Sequence, residues 1–212
     1  MGDTPIGKLL LKLSPPVMLA LLIQSIYNIV DSYFVSRYSL SGLTALSIIF
    51  PIQLLMTALG TGTGTGLNIL ISRMDGNGDT IDQGNVVKSG LCLGVVNFLV
   101  FTSLGMLLIG SYYDISSNQI SVQAEGIRYA RIIFLGSFGL FMESNCTKLL
   151  QAKGNMIIPM LAQVVGAVIN IICDPILILG LGGVPKLGVA GAAIATIIGQ
   201  LGCHVYHFKS ST

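Results

Sequence analysis

Six stretches of this chain, residues 16–35, 46–71, 89–109, 127–150, 156–181 and 189–208, each run for about twenty or more mostly apolar residues, the length a helix needs to cross a bilayer. That repetition leaves little choice of fold class: the chain reads as an all-α integral membrane protein, a bundle of six transmembrane helices forming one domain over residues 1–212. Composition points the same way. Hydrophobic residues make up 52% and charged residues 9%, and the mean hydropathy is +0.81, values foreign to a soluble globule.

The breaks between the runs are chemically plain. "SRYSLSG", "SRMDGNGDTIDQGNVVK", "SYYDISSNQISVQAEG", "QAKGN" and "GLGGVPKLG" are the polar and Gly/Pro clusters expected of connections, and short connections imply antiparallel neighbours. Basic flanks resist translocation and so set orientation. An internal N-terminus assigns Lys8, Lys12, Arg73, Lys88, Lys148, Lys153 and Lys209 to the cytoplasm, against Arg37, Arg128, Arg131 and Lys186 outside. The expectation is N-in and C-in, with the first run retained as a helix because it offers no small-residue cleavage site. A formal charge of +2, with its basic residues scattered, excludes nucleic acid as a partner. Cys92, Cys146, Cys173 and Cys203 lie singly inside apolar runs and read as small buried hydrophobes.

Three local patterns imitate known sites and fail on detail. "GTGTGTG" at 60–66 is followed by no Lys-Ser/Thr and fits no dinucleotide fingerprint. Its sensible register is a helical stripe of Gln53, Thr57, Thr61, Gly64, Asn68 and Ser72, facing the bundle interior or a cavity. "DGNGDT" at 75–80 opens like a calcium loop but has Thr80 where glycine is needed and Val86 where a bidentate Glu is needed. His204 and His207 lack a third nearby ligand, so no metal centre is expected there.

The acids inside the spans carry the functional argument. A carboxylate at the centre of a membrane helix costs at least about 2.5–3.5 kcal/mol, so it usually faces protein or water and marks an ion or substrate path. Asp31, Glu143 and Asp174 lie within the spans. Gln24, Asn28, Asp31 and Ser32 share one helical face with Tyr27 beside them, and Gln163, Asn170 and Asp174 repeat the arrangement on the fifth span. Two polar faces in an apolar bundle have reason to meet. Asn170 and Asp174 lie about 6 Å apart along the axis, a spacing whose oxygens suit a hard cation, while a desolvated carboxylate could instead hold a proton. Pro175 removes a helical N–H donor beside the acid and predicts a bend. Glu143, with Asn145 and Lys148 near, reads either as cavity lining or as an interhelical bond.

Taken together, "YNIVDSYFVS" (27–36) preceded by Pro16, "ALGTGTGTGLNILISRMDGNGD" (58–79), "LLQAKGNMIIPM" (149–160), "NIICDPILI" (170–178) and "LGVAGAAIATIIGQ" (187–200) resemble the N-terminal half of the multidrug and toxic compound extrusion (MATE) family, in family order. The resemblance implies one six-helix lobe of a twelve-helix, non-enzymatic secondary transporter of the plasma membrane. Such proteins export amphipathic, often cationic drugs in exchange for Na+ or H+, with no cofactor beyond that coupling ion. Its cation site would comprise Asp31, Asn170, Asp174 and, from the sixth helix, Thr196; Pro16 matches a proline at which the first helix bends. Gln24, Tyr27, Asn28, Gln53, Asn68, Glu143, Asn145 and Gln163 are the candidates for the substrate cavity. The implied partners are small amphipathic molecules, the bilayer and a second six-helix lobe. A lipid-linked saccharide flippase of related architecture is the alternative, expected to have a more cationic cavity; a non-transporting membrane module is another.

Overall fold

The computed structural model describes residues 6–78, 82–183 and 185–211, with the side chains of residues 6, 8–10, 12–13 and 207–211 outside the description. The loop residue Thr80 and the side chains of Lys8, Lys12, His207 and Lys209 therefore lie outside the described residues. Six long helices follow one another along the described chain: α1 Ile6–Tyr38, α2 Leu40–Asn77, α3 Gln83–Ser116, α4 Ile120–Ala152, α5 Ile157–Leu179 and α6 Val189–Ser211, with a 3-10 turn at Leu181–Gly183. There is no strand among the described residues.

The helices run beyond the apolar stretches at most of their ends, so the connections are shorter than the sequence implies. Only Ser39 separates α1 from α2; its extended backbone ends one helix, and its hydroxyl accepts from the Gly42 N–H to cap the next. The "SYYDISSNQISVQAEG" segment is likewise mostly helical, with α3 ending at Ser116 and α4 starting at Ile120. Hydropathy marks where side chains leave hydrocarbon, whereas the backbone ladder continues for as long as no residue breaks it. A helix of 33 residues such as α1 is about 50 Å long, well over the ~30 Å of the hydrocarbon core.

Among the described residues, five of these helices are long and apolar enough to cross a membrane: α1 over Ser14–Tyr38, α2, α3, α5, and α6 over Val189–Tyr206. The fourth is equally long but more polar, carrying Glu125, Arg128, Arg131, Glu143 and Lys148. It is also the enclosed one, packed on α2, α3 and α6. With it, the contacts α1–α2, α2–α4, α4–α6, α6–α5 and α5–α1 close a ring of five helices, and α3 stands outside against α2 and α4. Leu22, Ile29, Leu55, Leu93, Leu107 and Val168 are exposed and give the bundle an apolar exterior. The cysteines do not share one environment as their apolar surroundings in sequence imply. Cys203 is buried, Cys146 and Cys173 are half-buried, and Cys92 is exposed on the outer helix α3.

Polar ties and small residues hold the ring, as expected where lipid removes the hydrophobic drive between helices. Tyr112 and Tyr113 donate to the carbonyls of Ile48 and Ala45 at 2.7 and 2.8 Å. On α6, Ala192, Ala195, Gly199 and Gly202 recur every three or four residues and form a small-residue stripe that lets the backbones approach. Gly199 lies so close to α5 that a Cβ there would sit 2.8 Å from the Gly166 carbonyl oxygen, and Ala192 and Ala195 are fully buried. With Gly191 against Leu177 and Gly199 against Gly166, α5 and α6 run antiparallel.

Candidate functional site

The ring encloses a cavity of about 270 Å3. Each of its five helices supplies part of the wall: Pro16, Gln24 and Tyr27 from α1, Thr57 and Thr61 from α2, Glu143, Ser144, Lys148 and Gln151 from α4, Gln163 and Asn170 from α5, and Thr196, Gln200 and Cys203 from α6. Asp31 and Asp174 lie just past this wall, each one turn further along its helix than a lining residue, Tyr27 and Asn170 respectively. Both are buried, Asp174 completely.

The glycine crossing at 166 and 199 explains how Asn170 meets α6. One turn beyond it, with the Asn170 amide oriented to satisfy both of its ends, Nδ2 donates to Asp174 Oδ2 at 3.2 Å and Oδ1 accepts from the Thr196 N–H at 3.2 Å. The Thr196 hydroxyl donates to the Ala192 carbonyl at 3.0 Å, which leaves its lone pairs available. Asp174 Oδ1 and Asp31 Oδ1 have no hydrogen-bond partner despite being buried. Two carboxylates close enough for their charges to interact, each with an orphaned oxygen, form an arrangement that wants a positive charge. Carboxylate, amide and hydroxyl oxygens fit an alkali cation or a shared proton equally well. Among the described residues no cluster of three or more His, Cys, Asp or Glu side chains forms a metal centre; the oxygens gathered here come from two acids, one amide and one hydroxyl.

The remaining sequence candidates divide. Gln24, Tyr27, Glu143 and Gln163 line the cavity together with Asn170 and Thr196. Asn28 does not; it is exposed, about 100° round the helix from Tyr27. Gln53 is spent on α4, donating to the Tyr129 hydroxyl at 3.0 Å. Asn68 donates to the Lys148 carbonyl at 2.9 Å, and the fully buried Asn145 donates to the Gly90 carbonyl at 3.0 Å. These three are interhelical ties, not cavity groups. The α2 stripe is thus split between Thr57 and Thr61 in the wall and Gly64 and Asn68 against α4. Pro16 and Pro175 both sit inside unbroken helices; Pro175 still leaves the Ile171 carbonyl without its intrahelical donor.

Sequence reading missed Gln151, Ser144, Gln200 and Cys203. A signal was available for two of them: Thr196, Gln200 and Cys203 are spaced i, i+4 and i+7, one face of α6. Cys203 is buried as expected of a small hydrophobe, yet its thiol also donates to Glu143 Oε1 at 3.1 Å.

Comparison with known proteins gives this geometry a lineage. The MatE family model matches residues 16–176. The chain belongs to the MatE family. Its MatE relatives include the FAD transporter of Shewanella oneidensis, 27% identical over 94% of this chain and 44% of that protein. A probable multidrug resistance protein, YoeA of Bacillus subtilis, is 33% identical over 88% of this chain and 40% of its own length. Among solved structures, the outward-facing form of a multidrug resistance MATE transporter of the MOP superfamily superposes with a TM-score of 0.87 at 30% identity, covering 94% of this chain and 44% of that one. The chain therefore spans less than half the length of these relatives.

Proposed function

We propose that this MatE chain is one lobe of a secondary exporter of amphipathic, positively charged small molecules, coupled to Na+ or H+ through Asp31, Asn170, Asp174 and Thr196. The observation that carries the reading is the pair of buried carboxylates with orphaned oxygens at the end of a mainly apolar cavity that carries polar groups in its wall. A bound sodium ion or proton supplies the positive charge these acids lack. The chain's own residues do the rest: Asn170 bridges Asp174 to the α6 backbone, so charge at the acid is felt at the α5–α6 contact. Pro175, adjacent to Asp174, leaves that turn short of one hydrogen bond and easier to deform. A second six-helix lobe completes the chamber, and both termini of the chain face the cytoplasm at the plasma membrane.

One relative is an FAD transporter, which raises an anionic substrate as a second reading. The wall offers Lys148 as its basic group, against Glu143 in the wall and two acids beyond it, and this balance favours a cation. The test is dye efflux from proteoliposomes that hold this lobe together with its second six-helix half, under an imposed sodium or proton gradient. Gradient-driven export of a cationic dye is expected, abolished in Asp31→Asn and in Asp174→Asn while both variants still insert and fold. Export that stays ion-dependent in both variants would remove the assignment.

A further inference from the structure

Glu143 is the acid the coupling site does not use. It lies in the cavity wall on α4, apart from the Asp31–Asp174 pair, and Tyr27 of α1 in the same wall is close enough for the charges of both Glu143 and Asp31 to act on it. Its Oε1 accepts from the Cys203 thiol at 3.1 Å, a weak donor that orients the carboxylate without neutralising it. Among the described residues no Lys, Arg or His pairs with it. Lys148 lines the same cavity but makes no ion pair with Glu143; its stem packs on α2 at Gly64, where a Cβ would sit 2.8 Å from Lys148 Cγ. Five residues along the helix, Lys148 leaves α4 about 140° round from Glu143. A carboxylate kept in a bundle interior without an internal cation is set up for an external one.

The wall around it defines what kind of cation. Leu140, Met156, Pro159 and Met160 give the chamber an apolar, adaptable lining, and Gln24 and Gln163 add neutral polar groups. We propose that Glu143 contacts the positive charge of the transported molecule, making it the residue that selects organic cations with an apolar body over neutral and anionic molecules of the same shape. This rests on reading the cavity as a substrate chamber.

Tetraphenylphosphonium and tetraphenylborate test it, because they share size and shape and differ in the sign of a fixed charge. Equilibrium dialysis of the purified protein in a neutral detergent gives the affinity for each. The wild type is expected to prefer the cation; Glu143→Gln is expected to lower the cation-to-anion affinity ratio about tenfold or more, the scale of removing one ion–ion attraction at low dielectric. Glu143→Lys is expected to reverse the preference. The ratio is insensitive to general loosening of the cavity, so either folded variant decides. Equal losses for both probes, or a ratio unchanged by the substitution, would overturn the role of Glu143 while leaving the chamber reading intact. A wild type that binds neither probe would overturn both.

Discussion

Asn145 and Asn170 are both buried in the bundle, yet their amides serve different ends. Asn145 ties α4 to the Gly90 carbonyl of α3 and contacts nothing ionisable in that bond. Asn170 instead divides itself between the Asp174 carboxylate and the Thr196 N–H. The substitutions should therefore separate stability from ion response. Asn145→Ala is expected to cost about 0.6–1.7 kcal/mol, the range of interhelical hydrogen bonds in membranes, and to leave unchanged the thermal stabilisation that the coupling ion gives. Asn170→Ala is expected to abolish that stabilisation, because the donor that fixes Asp174 is gone; thermal unfolding with and without sodium, and across pH, checks both. Sequence alone brings out Asn170, since an amide one turn from an acid in hydrocarbon needs an explanation. It does not separate Asn145 from the cavity groups, because a neighbour of Glu143 along the chain need not be its neighbour in space. Two residues along a helix is about 200° of rotation, which puts Asn145 on the α3 side and Glu143 on the cavity side.

At the level of helices, the contact that most shapes the site is the crossing of α5 and α6. A Cβ on Gly199 would lie 2.8 Å from the Gly166 carbonyl oxygen and 3.3 Å from Asn170 Cβ, and a backbone oxygen cannot step aside as a flexible side chain can. Gly199→Val is expected to cost about 1–3 kcal/mol through overpacking and to weaken the ion response by prising Asn170 from Thr196. Gly62, in the same kind of apolar run but with open space around its Cα, is the control: Gly62→Ala should be neutral or stabilising by up to about 1 kcal/mol from helix propensity. Thermal unfolding of the two variants in parallel checks the contrast. The existence of the six helices and the small-residue face of α6 were legible, because both follow from side-chain chemistry repeated at a fixed period. The helix ends were not, as the segment between α1 and α2 shows. "SRYSLSG" has the composition of a loop, but the chain needs only Ser39, extended and capping, to turn from one helix to the next.

Across the whole molecule, the ring places its acids asymmetrically along the bundle. The cavity runs from Pro16, early in α1, to Tyr27, and from Pro159, early in α5, to Asn170, with Asp31 and Asp174 further along both helices. If the N-terminus is internal, the chamber lies toward the cytoplasmic end and the coupling acids lie toward the outside, so orientation decides which compartment each site addresses. The charge distribution argues for that orientation: the α2–α3 connection is flanked by Arg73 and Lys88 and the α4–α5 connection by Lys148 and Lys153, and such flanks stay in the cytoplasm. The α3–α4 connection at Ser117–Gln119 has no basic residue within it and should face outward. Single cysteines at Asn118 and at Gly76, both exposed positions, test this with a polyethylene-glycol maleimide too bulky to enter the bundle. The four native cysteines lie inside apolar runs of the sequence and should stay unmodified. In intact cells Asn118→Cys is expected to gain mass on a denaturing gel, and Gly76→Cys only after the membrane is permeabilised; the opposite pattern would turn the molecule over and place the chamber on the outer side.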